Sequence, residues 1–363
     1  MTTARKIPAR LRRRLLFLFV VTVVFGVVMV YPPLRLLHWL LPDWHAPVYL
    51  APALFILPFA LRLLQERWHT TWSRFTSSLG MFWLGLCFVT LCLLLPAELL
   101  VLLGVLQDQV AGQLLLAGTI LLSTYGLYNA QTRHVRTVEL NGPEALRGQR
   151  IAQISDVHIG SRQPRLLRAI VREVNALTPD YVVITGDLVD MHGITLDDLA
   201  PLAELNAPTL FCIGNHERYV DVDDICARLR KHQIDVLRNQ TLNVRAGSGT
   251  IQFIGIDDAE RRTQVREQLQ HLTPEPDAYR ILLYHRPDGA EDAQRWGAHL
   301  MLTGHTHRGQ IVPFNLLVKK VFPQYYRSYF VGNLHLYVSP GTGTWGPTMR
   351  LGSKCEITLF RLL

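Results

Sequence analysis

The apolar positions are arranged differently in the two parts of the chain. In the first part, four long runs, residues 15–31, 47–61, 79–104 and 110–128, contain a single charged residue, Glu98. A helix needs about 20 apolar residues to cross the hydrocarbon core of a bilayer. One such run would suit the core of a soluble protein, but four in so short a stretch indicate a membrane region.

We therefore predict a transmembrane region over residues 1–132. Its four helices are expected at residues 15–31, 46–64, 79–103 and 110–128. A transporter would be expected to place ionisable groups inside such helices. Because these runs hold almost none, the pattern favours a membrane anchor over a transport pathway.

The pattern changes near residue 135. Short runs rich in aliphatic and β-branched residues, such as 150–155, 181–186 and 209–214, alternate with polar, helix-length segments such as 164–177. Alternating strand and helix patterns are typical of mixed α/β folds with buried sheets. We predict such a domain over residues 136–363.

The charge of the chain is concentrated in its N-terminal part. The net charge is +8, but residues 1–140 hold 12 Lys and Arg against 5 Asp and Glu, while the rest holds 25 against 24. A nearly neutral domain has little long-range attraction for a polyanion. No nucleic-acid partner is therefore expected.

The basic residues also predict the orientation of the helices in the membrane. Positive residues are retained on the cytoplasmic side, and they flank alternate helix ends here. They lie in segment 5–14, at Arg62, Arg67 and Arg74, and at Arg133 and Arg136. We expect a multi-pass protein of the cell (inner) membrane whose C-terminal domain faces the cytoplasm. A cleaved signal peptide would also begin with a basic and an apolar segment, but no small-residue cleavage site follows.

Polar residues follow five of the predicted strands at the point where each strand ends. The carboxyl ends of parallel strands meet at one edge of an open sheet, where ligands bind, so these side chains should converge. They are Asp156 and His158, Asp187, Asn215 and His216, His285, and His305 and His307.

The identity of these side chains predicts a metal centre. Imidazole, carboxylate and amide ligands suit divalent Mn, Fe, Zn or Co, and the lack of cysteine argues against a structural zinc site. So many possible ligands exceed the coordination number of one ion. Two divalent ions about 3.5–4 Å apart, bridged by a carboxylate, would use them all and would clamp a phosphoryl group during its displacement.

The ordered motifs DVH, GDLVD, GNHE, a lone His after a strand, and GHTH resemble those of the calcineurin-like metallophosphoesterases over residues 136–363. This resemblance implies a four-layer αββα sandwich, a dinuclear centre of Mn, Fe or Zn, and hydrolysis of a phosphoric ester or diphosphate. It assigns Asp156, His158 and His307 to one ion, Asn215, His285 and His305 to the other, and Asp187 to both. His216 would contact the leaving group without binding metal.

The expected chemistry is attack on phosphorus by a hydroxide held between the two ions, with His216 protonating or orienting the departing oxygen. Asp190 has two possible roles that the sequence leaves open. It either holds a ligand histidine by a hydrogen bond or caps the segment that follows.

The segment GHTHRGQIVP and the later LYVSPGTGTWGPTMRLG narrow the resemblance to a membrane-associated bacterial branch. That branch includes enzymes similar to UDP-2,3-diacylglucosamine pyrophosphatases. Arg308 occupies a position where the branch usually has glycine, so it either binds a second phosphate or projects into solvent. Arg308 and Arg162 are the candidate substrate-binding residues.

The segment 313–330 interleaves lysine and arginine with phenylalanine and tyrosine. This mixture suits a membrane interface, although a lid packed on the domain would also explain it. We expect the bilayer as a partner and a phosphodiester or pyrophosphate of a lipid-linked small molecule as substrate. The alternative is a soluble substrate, such as a cyclic nucleotide, a nucleotide or a phosphoprotein.

Overall fold

The computed structural model describes residues 9–44 and 47–363. Arg5 and Lys6 of the basic N-terminal segment and Ala46, the predicted start of the second membrane helix, lie outside the described residues. The described chain begins with five helices, which we call the bundle. They are α1 (Ala9–Met29), α2 (Tyr31–Leu40), α3 (Pro47–Trp68), α4 (Thr71–Leu102) and α5 (Asp108–Gln131).

Four segments of the bundle are long and apolar enough to cross a membrane, as predicted. They are Leu15–Leu40, Tyr49–Trp68, Thr71–Leu102 and Asp108–Gln131. The first segment extends beyond the apolar run because α2 follows α1 almost at once. Pro32 and Pro33 lie in the first turn of α2, where a missing backbone N–H costs no helical hydrogen bond.

The C-terminal domain contains twelve strands among the described residues. They are β1 (Arg133–Leu140), β2 (Arg150–Ile154), β3 (Tyr181–Thr185), β4 (Thr209–Cys212), β5 (Ile234–Val236), β6 (Gln240–Ala246), β7 (Gly249–Ile256), β8 (Tyr279–Tyr284), β9 (Leu300–Thr303), β10 (Arg327–Val331), β11 (Leu334–Val338) and β12 (Cys355–Leu362). They form two six-stranded sheets with the orders β1-β12-β2-β3-β4-β5 and β10-β11-β9-β8-β7-β6.

Helices cover the outer faces of the two sheets. The helices of this domain are α6 (Pro164–Ala176), α7 (Leu196–Leu199), α8 (Val222–Lys231), α9 (Gln264–Leu269), α10 (Ala290–Trp296) and α11 (Phe314–Val321). Alternate residues of a strand point to opposite faces, which assigns them to different layers. Ile151 packs between the sheets with Phe253, whereas Ala152 and Ile154 pack outward with Leu167 of α6. The predicted α/β domain and its four-layer αββα arrangement are thus confirmed.

The bundle and the domain are in direct contact. Helix α5 ends at Gln131, and β1 begins at Arg133. From α3, Arg62 Nη1 donates to Ser161 Oγ and Gln65 Nε2 donates to the carbonyl oxygen of Gly160, both at 2.6 Å. These contacts place the end of α3 beside the loop that follows β2.

A second contact involves the loop before β12. Asn129 of α5 donates to the carbonyl oxygens of Arg350 and Ser353 at 3.0 and 2.7 Å. Met349 in this loop is fully buried and packs with Val89 of α4. The domain is therefore held against the bundle by both polar and apolar contacts.

Candidate metal centre

The predicted residues converge at the carboxyl ends of strands from both sheets. Asp156 and His158 follow β2, Asp187 follows β3, and Asn215 and His216 follow β4; His285 follows β8, and His305 and His307 follow β9. Because the two sheets pack face to face, their strand ends face a common space. The structure brings all eight residues to it. They include two separate groups of possible metal ligands, and a third group combines His158 and His216 with Asp190.

The first group consists of Asp156, His158 and His307. His158 Nε2 lies 3.1 Å from His307 Nε2, and His307 Nε2 lies 3.4 Å from Asp156 Oδ1. All three side chains are buried. Two imidazole nitrogens that face each other beside a carboxylate form a donor set suited to a divalent cation.

The second group consists of Asp187, His285 and His305. His285 Nε2 lies 3.0 Å from Asp187 Oδ2 and 3.2 Å from His305 Nδ1. The other ring nitrogen of His285, Nδ1, lies 2.8 Å from the carbonyl oxygen of Thr185, to which it can donate. Such a bond fixes the ring and directs Nε2 toward the other ligands.

Asn215 completes this side of the site. Its amide oxygen, Oδ1, is buried and has no hydrogen-bond partner among the described residues. A buried acceptor without a partner is costly to the fold unless a ligand satisfies it. The residues present therefore fit a bound cation at this position.

The backbone at the ligand positions is strained. Asp156, His158, Asp187, His305 and His307 have φ angles of 54°, 59°, 51°, 70° and 47°. This left-handed region is sparsely populated by residues other than glycine and costs of order 1 kcal/mol or more at each position. Such strain is common at functional sites. There it orients side chains in directions that an unstrained backbone at the end of a strand would not allow.

The charges around Asp187, His305 and His307 support cation binding. Burial alone would raise the pKa of Asp187, but His285 and the other histidines around it hold it well below its usual range. Burial, together with the neighbouring His285 and His158 respectively, lowers the pKa values of His305 and His307 well below the ordinary value. The carboxylate is ionised and these two imidazoles are neutral near pH 7, which are the forms that bind metal.

His285 differs from these two histidines. Burial opposes its protonation, but the charge of Asp187 and their hydrogen bond raise its pKa to about 10. The proton compensates the buried carboxylate charge, and a bound cation would replace it. Metal binding by this group should therefore release a proton.

His216 lies at the edge of the two groups. Its backbone N–H donates to Asp187 Oδ1 at 2.9 Å, and its ring centroid is 4.8 Å from that of His158. Burial lowers its pKa to about 4, so the ring is neutral near pH 7. Its side chain keeps 15% of its surface exposed, so it can contact a ligand in front of the metal ligands.

Asp190 lies beside His158. One carboxylate oxygen, Oδ1, accepts from the Ser161 N–H at 2.9 Å, and Oδ2 lies 3.5 Å from His158 Nδ1. The helix that follows, α7, is capped by Thr195 instead. Asp190 therefore does not cap α7, and its carboxylate lies at ion-pair distance from His158, although neither Oδ2 nor Nδ1 has a hydrogen-bond partner among the described residues.

Two supporting residues were not singled out from the sequence. The Glu217 carboxylate accepts from the backbone N–H groups of Asp187, Val189 and Gly214 at 3.0, 2.9 and 2.9 Å. It thereby joins the loops after β3 and β4. A glutamate in the GNHE motif was the signal available for it.

Arg350 is the second missed residue. It is fully buried, its Nη2 donates to the carbonyl oxygens of Pro340 and Gly343 at 2.7 Å, and the same atom lies 3.3 Å from His307 Nδ1. It lies 43 positions after His307 in the chain. Only the long-range fold brings the two together.

A cavity of about 710 Å³ opens in front of the metal ligands. Asp187, Asn215, His216, His305 and His307 line its inner wall. Among the described residues, neither Arg162 nor Arg308 lines it. The Arg308 guanidinium instead stacks on the Tyr326 ring at 4.1 Å from its centroid, and substrate binding by these two arginines stays a prediction.

The outer wall of the cavity is apolar, and we call this part the vestibule. Helices α1 and α4 contribute Val24, Phe25, Val28, Leu84 and Phe88. Helix α11 contributes Phe314, Leu317 and Val318. One cavity thus joins the candidate metal ligands to helices that are long and apolar enough to span a membrane.

Residues 149–309 match the family model of the calcineurin-like phosphoesterases. The chain is 38% identical over 264 residues to a Danio rerio transmembrane protein with metallophosphoesterase domain, covering 66% of this chain and 60% of the relative. It is 29% identical over 379 residues to an uncharacterized metallophosphoesterase of Campylobacter jejuni, covering 96% and 98%. An uncharacterized metallophosphoesterase of Aquifex aeolicus is 31% identical over 224 residues, covering 58% of this chain and 83% of the relative. The chain spans about 60% of the length of the vertebrate relatives.

Proposed function

Because the chain belongs to the calcineurin-like metallophosphoesterases, which hydrolyse phosphoric esters with bound metal, we propose that it cleaves a phosphodiester or pyrophosphate bond in a lipid-linked substrate. The observation that carries this proposal is the cavity shared by the candidate metal ligands and the apolar helices α1 and α4. A substrate bound there contacts the catalytic groups and the membrane part of the protein at once.

Two divalent ions of Mn, Fe or Zn would occupy the site. Asp156, His158 and His307 would hold one ion, and Asn215, His285 and His305 the other, with Asp187 shared between them. The two groups of converging side chains and the unpartnered Asn215 oxygen support this assignment. Nitrogen and oxygen ligands without thiolate are suited to these metals.

When bound, the ions activate water for in-line attack on phosphorus and neutralise charge on the phosphoryl oxygens. The protein fixes the ligands through Glu217, Asp190 and Arg350. His216 would meet the departing oxygen. Its neutral ring can donate a hydrogen bond to that oxygen. The negative charge of a bound phosphoester would raise the pKa of His216, so that the protonated ring could act as a general acid.

The membrane part gives the proposed location. We place the bundle in the inner membrane and the domain on its cytoplasmic side, because basic residues flank the helix ends that contact the domain. Lipid nucleotides similar to UDP-2,3-diacylglucosamine combine a diphosphate with apolar chains and so fit this arrangement. A soluble nucleotide or phosphoprotein remains the alternative, and it would leave the vestibule without a role.

The first test uses detergent-solubilised protein with added Mn²⁺. A bis-aryl phosphodiester, an aryl phosphate monoester and UDP-diacylglucosamine are compared, and bound metal is counted by mass spectrometry. We expect two metal ions per chain, cleavage that needs metal, and preference for the lipid nucleotide. Asp187→Asn should lose both metal and activity, and His216→Ala should lose activity but keep metal.

The matched control is Asp235→Asn, because Asp235 is an exposed aspartate on β5. It should retain the metal content and rate of the unchanged protein. A protein that holds two ions and cleaves only soluble nucleotides would overturn the lipid substrate and leave the hydrolase intact.

A further inference from the structure

The vestibule is apolar from the metal ligands outward. The Phe322 ring packs edge-on against the His305 ring, with centroids 5.2 Å apart. Phe314 of α11 packs in the same way on Phe88 of α4, at 6.5 Å. An apolar path therefore begins at a candidate ligand and runs between α11 and the bundle.

The mouth of the vestibule lies where α1 and α11 face it. Val24 of α1 is 52% exposed and Leu317 of α11 is 60% exposed, although both line the cavity. Side chains that line a cavity and still reach the surface mark an opening. Because Val24 lies within the candidate span Leu15–Leu40, this opening faces hydrocarbon when the bundle is in a bilayer.

Helix α11 is unusual for a surface in water. None of its eight residues, all of which the structure describes, is buried. Leu316 and Val321 are 65% and 56% exposed, while Lys319 and Lys320 lie in its last turn. A short apolar helix with a basic end suits the headgroup boundary of a membrane, where its apolar side chains leave water and its lysines meet anionic headgroups.

The segment around α11 is also tied to the metal ligands. Thr306, between His305 and His307, donates through Oγ1 to the carbonyl oxygen of Tyr325 at 2.7 Å. This hydrogen bond links the segment that follows α11 to the loop that carries His305 and His307. The whole cavity, vestibule and inner wall together, has a volume of about 710 Å³, which lies within the range of about 300–1,000 Å³ that is usual for ligand pockets.

Building on the proposed function, we propose that the vestibule binds one alkyl or acyl chain of the substrate, which enters sideways from the bilayer between α1 and α11. The phosphoryl group then lies at the metal ligands while the chain lies along Phe322, Phe314 and Val28. The chain contributes binding energy that a soluble phosphoester lacks.

The test is a series of 4-nitrophenyl alkyl phosphodiesters with methyl, octyl and hexadecyl chains. In each, water adds to phosphorus and 4-nitrophenolate leaves, so the broken bond is the same and only the chain differs. The Mn²⁺-loaded full-length protein is assayed in phosphatidylcholine nanodiscs. We expect kcat/KM to rise at least about tenfold from the methyl to the hexadecyl ester. This increase is smaller than the gain in binding that the burial of several methylene groups can produce.

Two variants fill the vestibule from opposite walls, Val28→Trp on α1 and Val318→Trp on α11. Each should reduce the hexadecyl-to-methyl ratio of kcat/KM to within about threefold of one. The matched control is Leu121→Trp, because Leu121 of α5 is 69% exposed and does not line the vestibule. This control should keep the ratio of the unchanged protein.

The outcomes separate the two proposals. No metal-dependent cleavage of any ester would overturn the proposed function itself. Metal-dependent cleavage with equal kcat/KM for the three esters would overturn the vestibule proposal alone. A chain-length preference that persists in both tryptophan variants would mean that the chain binds outside the vestibule. A preference that changes with protein concentration would mean that a second copy of the protein occupies the vestibule. Either result would also overturn the vestibule proposal.

Discussion

At the scale of single residues, Gly186 is one of several closely packed glycines in the site. Gly186 has a φ of +80°, and a Cβ there would lie 2.7 Å from the Gly214 Cα and 2.7 Å from His285 Nδ1. Gly148 has nearly the same backbone, with a φ of +82°, but a Cβ there would meet no described atom within 4 Å. The pair separates the cost of a left-handed backbone from the cost of crowding.

We predict that Gly148→Ala destabilises the protein by about 1–2 kcal/mol, which is the strain of a left-handed alanine. Gly186→Ala should cost more, because it also pushes His285 or the loop after β4 out of place. It should also bind less metal, whereas Gly148→Ala should bind the normal amount. Thermal unfolding and metal counting measure both effects, and equal behaviour of the two variants would show that the crowding is unimportant.

The sequence could predict the residues that end strands, because a buried strand followed by Asp, Asn or His is a local pattern. It could not predict their left-handed backbone at Asp156 or His305, since that depends on neighbouring loops. Glu217 and Arg350 were missed for a related reason. Their partners, such as Gly214 and His307, are defined by the tertiary fold and not by a spacing along the chain.

At the scale of elements, an ion pair joins the bundle to the domain. The Arg74 guanidinium of α4 pairs with both oxygens of the Asp198 carboxylate in α7, at 2.8 and 2.9 Å, and each side chain is 11% exposed. An exposed pair for comparison is Arg147 and Glu144, at 2.8 Å and 65% and 78% exposed. The charged atoms of both pairs are in close contact. The two pairs differ mainly in burial and in the bidentate contact that Arg74 makes with both oxygens of Asp198.

We predict that a double-mutant cycle with Arg74→Met and Asp198→Asn gives a coupling free energy of about 0.5–3 kcal/mol. The cycle with Arg147→Met and Glu144→Gln should give a value near zero, as usual for exposed pairs. Denaturation followed by tryptophan fluorescence measures both. Equal coupling in the two cycles would mean that the α4–α7 contact adds nothing to docking.

The same pair predicts a dependence on pH. Burial alone would raise the pKa of Asp198, but the hydrogen bonds from Arg74 and Thr195 hold it below its usual value. A group with a lowered pKa stabilises the folded state above its unfolded pKa, and this contribution is lost as the pH falls through the folded pKa. Acid should therefore reduce the difference in stability between the unchanged protein and Arg74→Met.

Strands were easier to predict than their order. Apolar runs at residues 150–155 and 181–186 indicate β2 and β3, but β12, from the end of the chain, lies between β1 and β2. It pairs in parallel with β1 and antiparallel with β2. This pairing joins residues from opposite ends of the domain, so no local pattern reveals it.

At the scale of the whole molecule, the contact between bundle and domain could not be predicted from the sequence. Gly85 and Gly126 lie inside the apolar helices α4 and α5, and the sequence around them indicates only membrane spans. In the structure, both face the loop before β12, and a Cβ at Gly85 would lie 2.9 Å from Pro347 and 3.0 Å from Met349. The small residues let this loop, which also carries Arg350, pack between the helices and the metal centre.

The same contacts show which helix ends lie beside the domain. Arg62 and Arg74, at the adjoining ends of α3 and α4, both contact the domain, and α5 leads into β1 without a linker. The α3–α4 connection and the domain therefore share one side, which we propose to be the cytoplasmic side because basic residues flank these helix ends. The α4–α5 connection should lie on the opposite side.

We predict that a green fluorescent protein fused after Leu363 fluoresces and that alkaline phosphatase fused there is inactive, because the first folds in the cytoplasm and the second needs an oxidising compartment. Fusions after Val105, in the α4–α5 connection, are the matched control and should give the reverse result. An active phosphatase at the C-terminus would place the metal centre outside the cell membrane. Cytoplasmic nucleotides would then be excluded as substrates, while a lipid entering between α1 and α11 from the outer leaflet would still fit the vestibule.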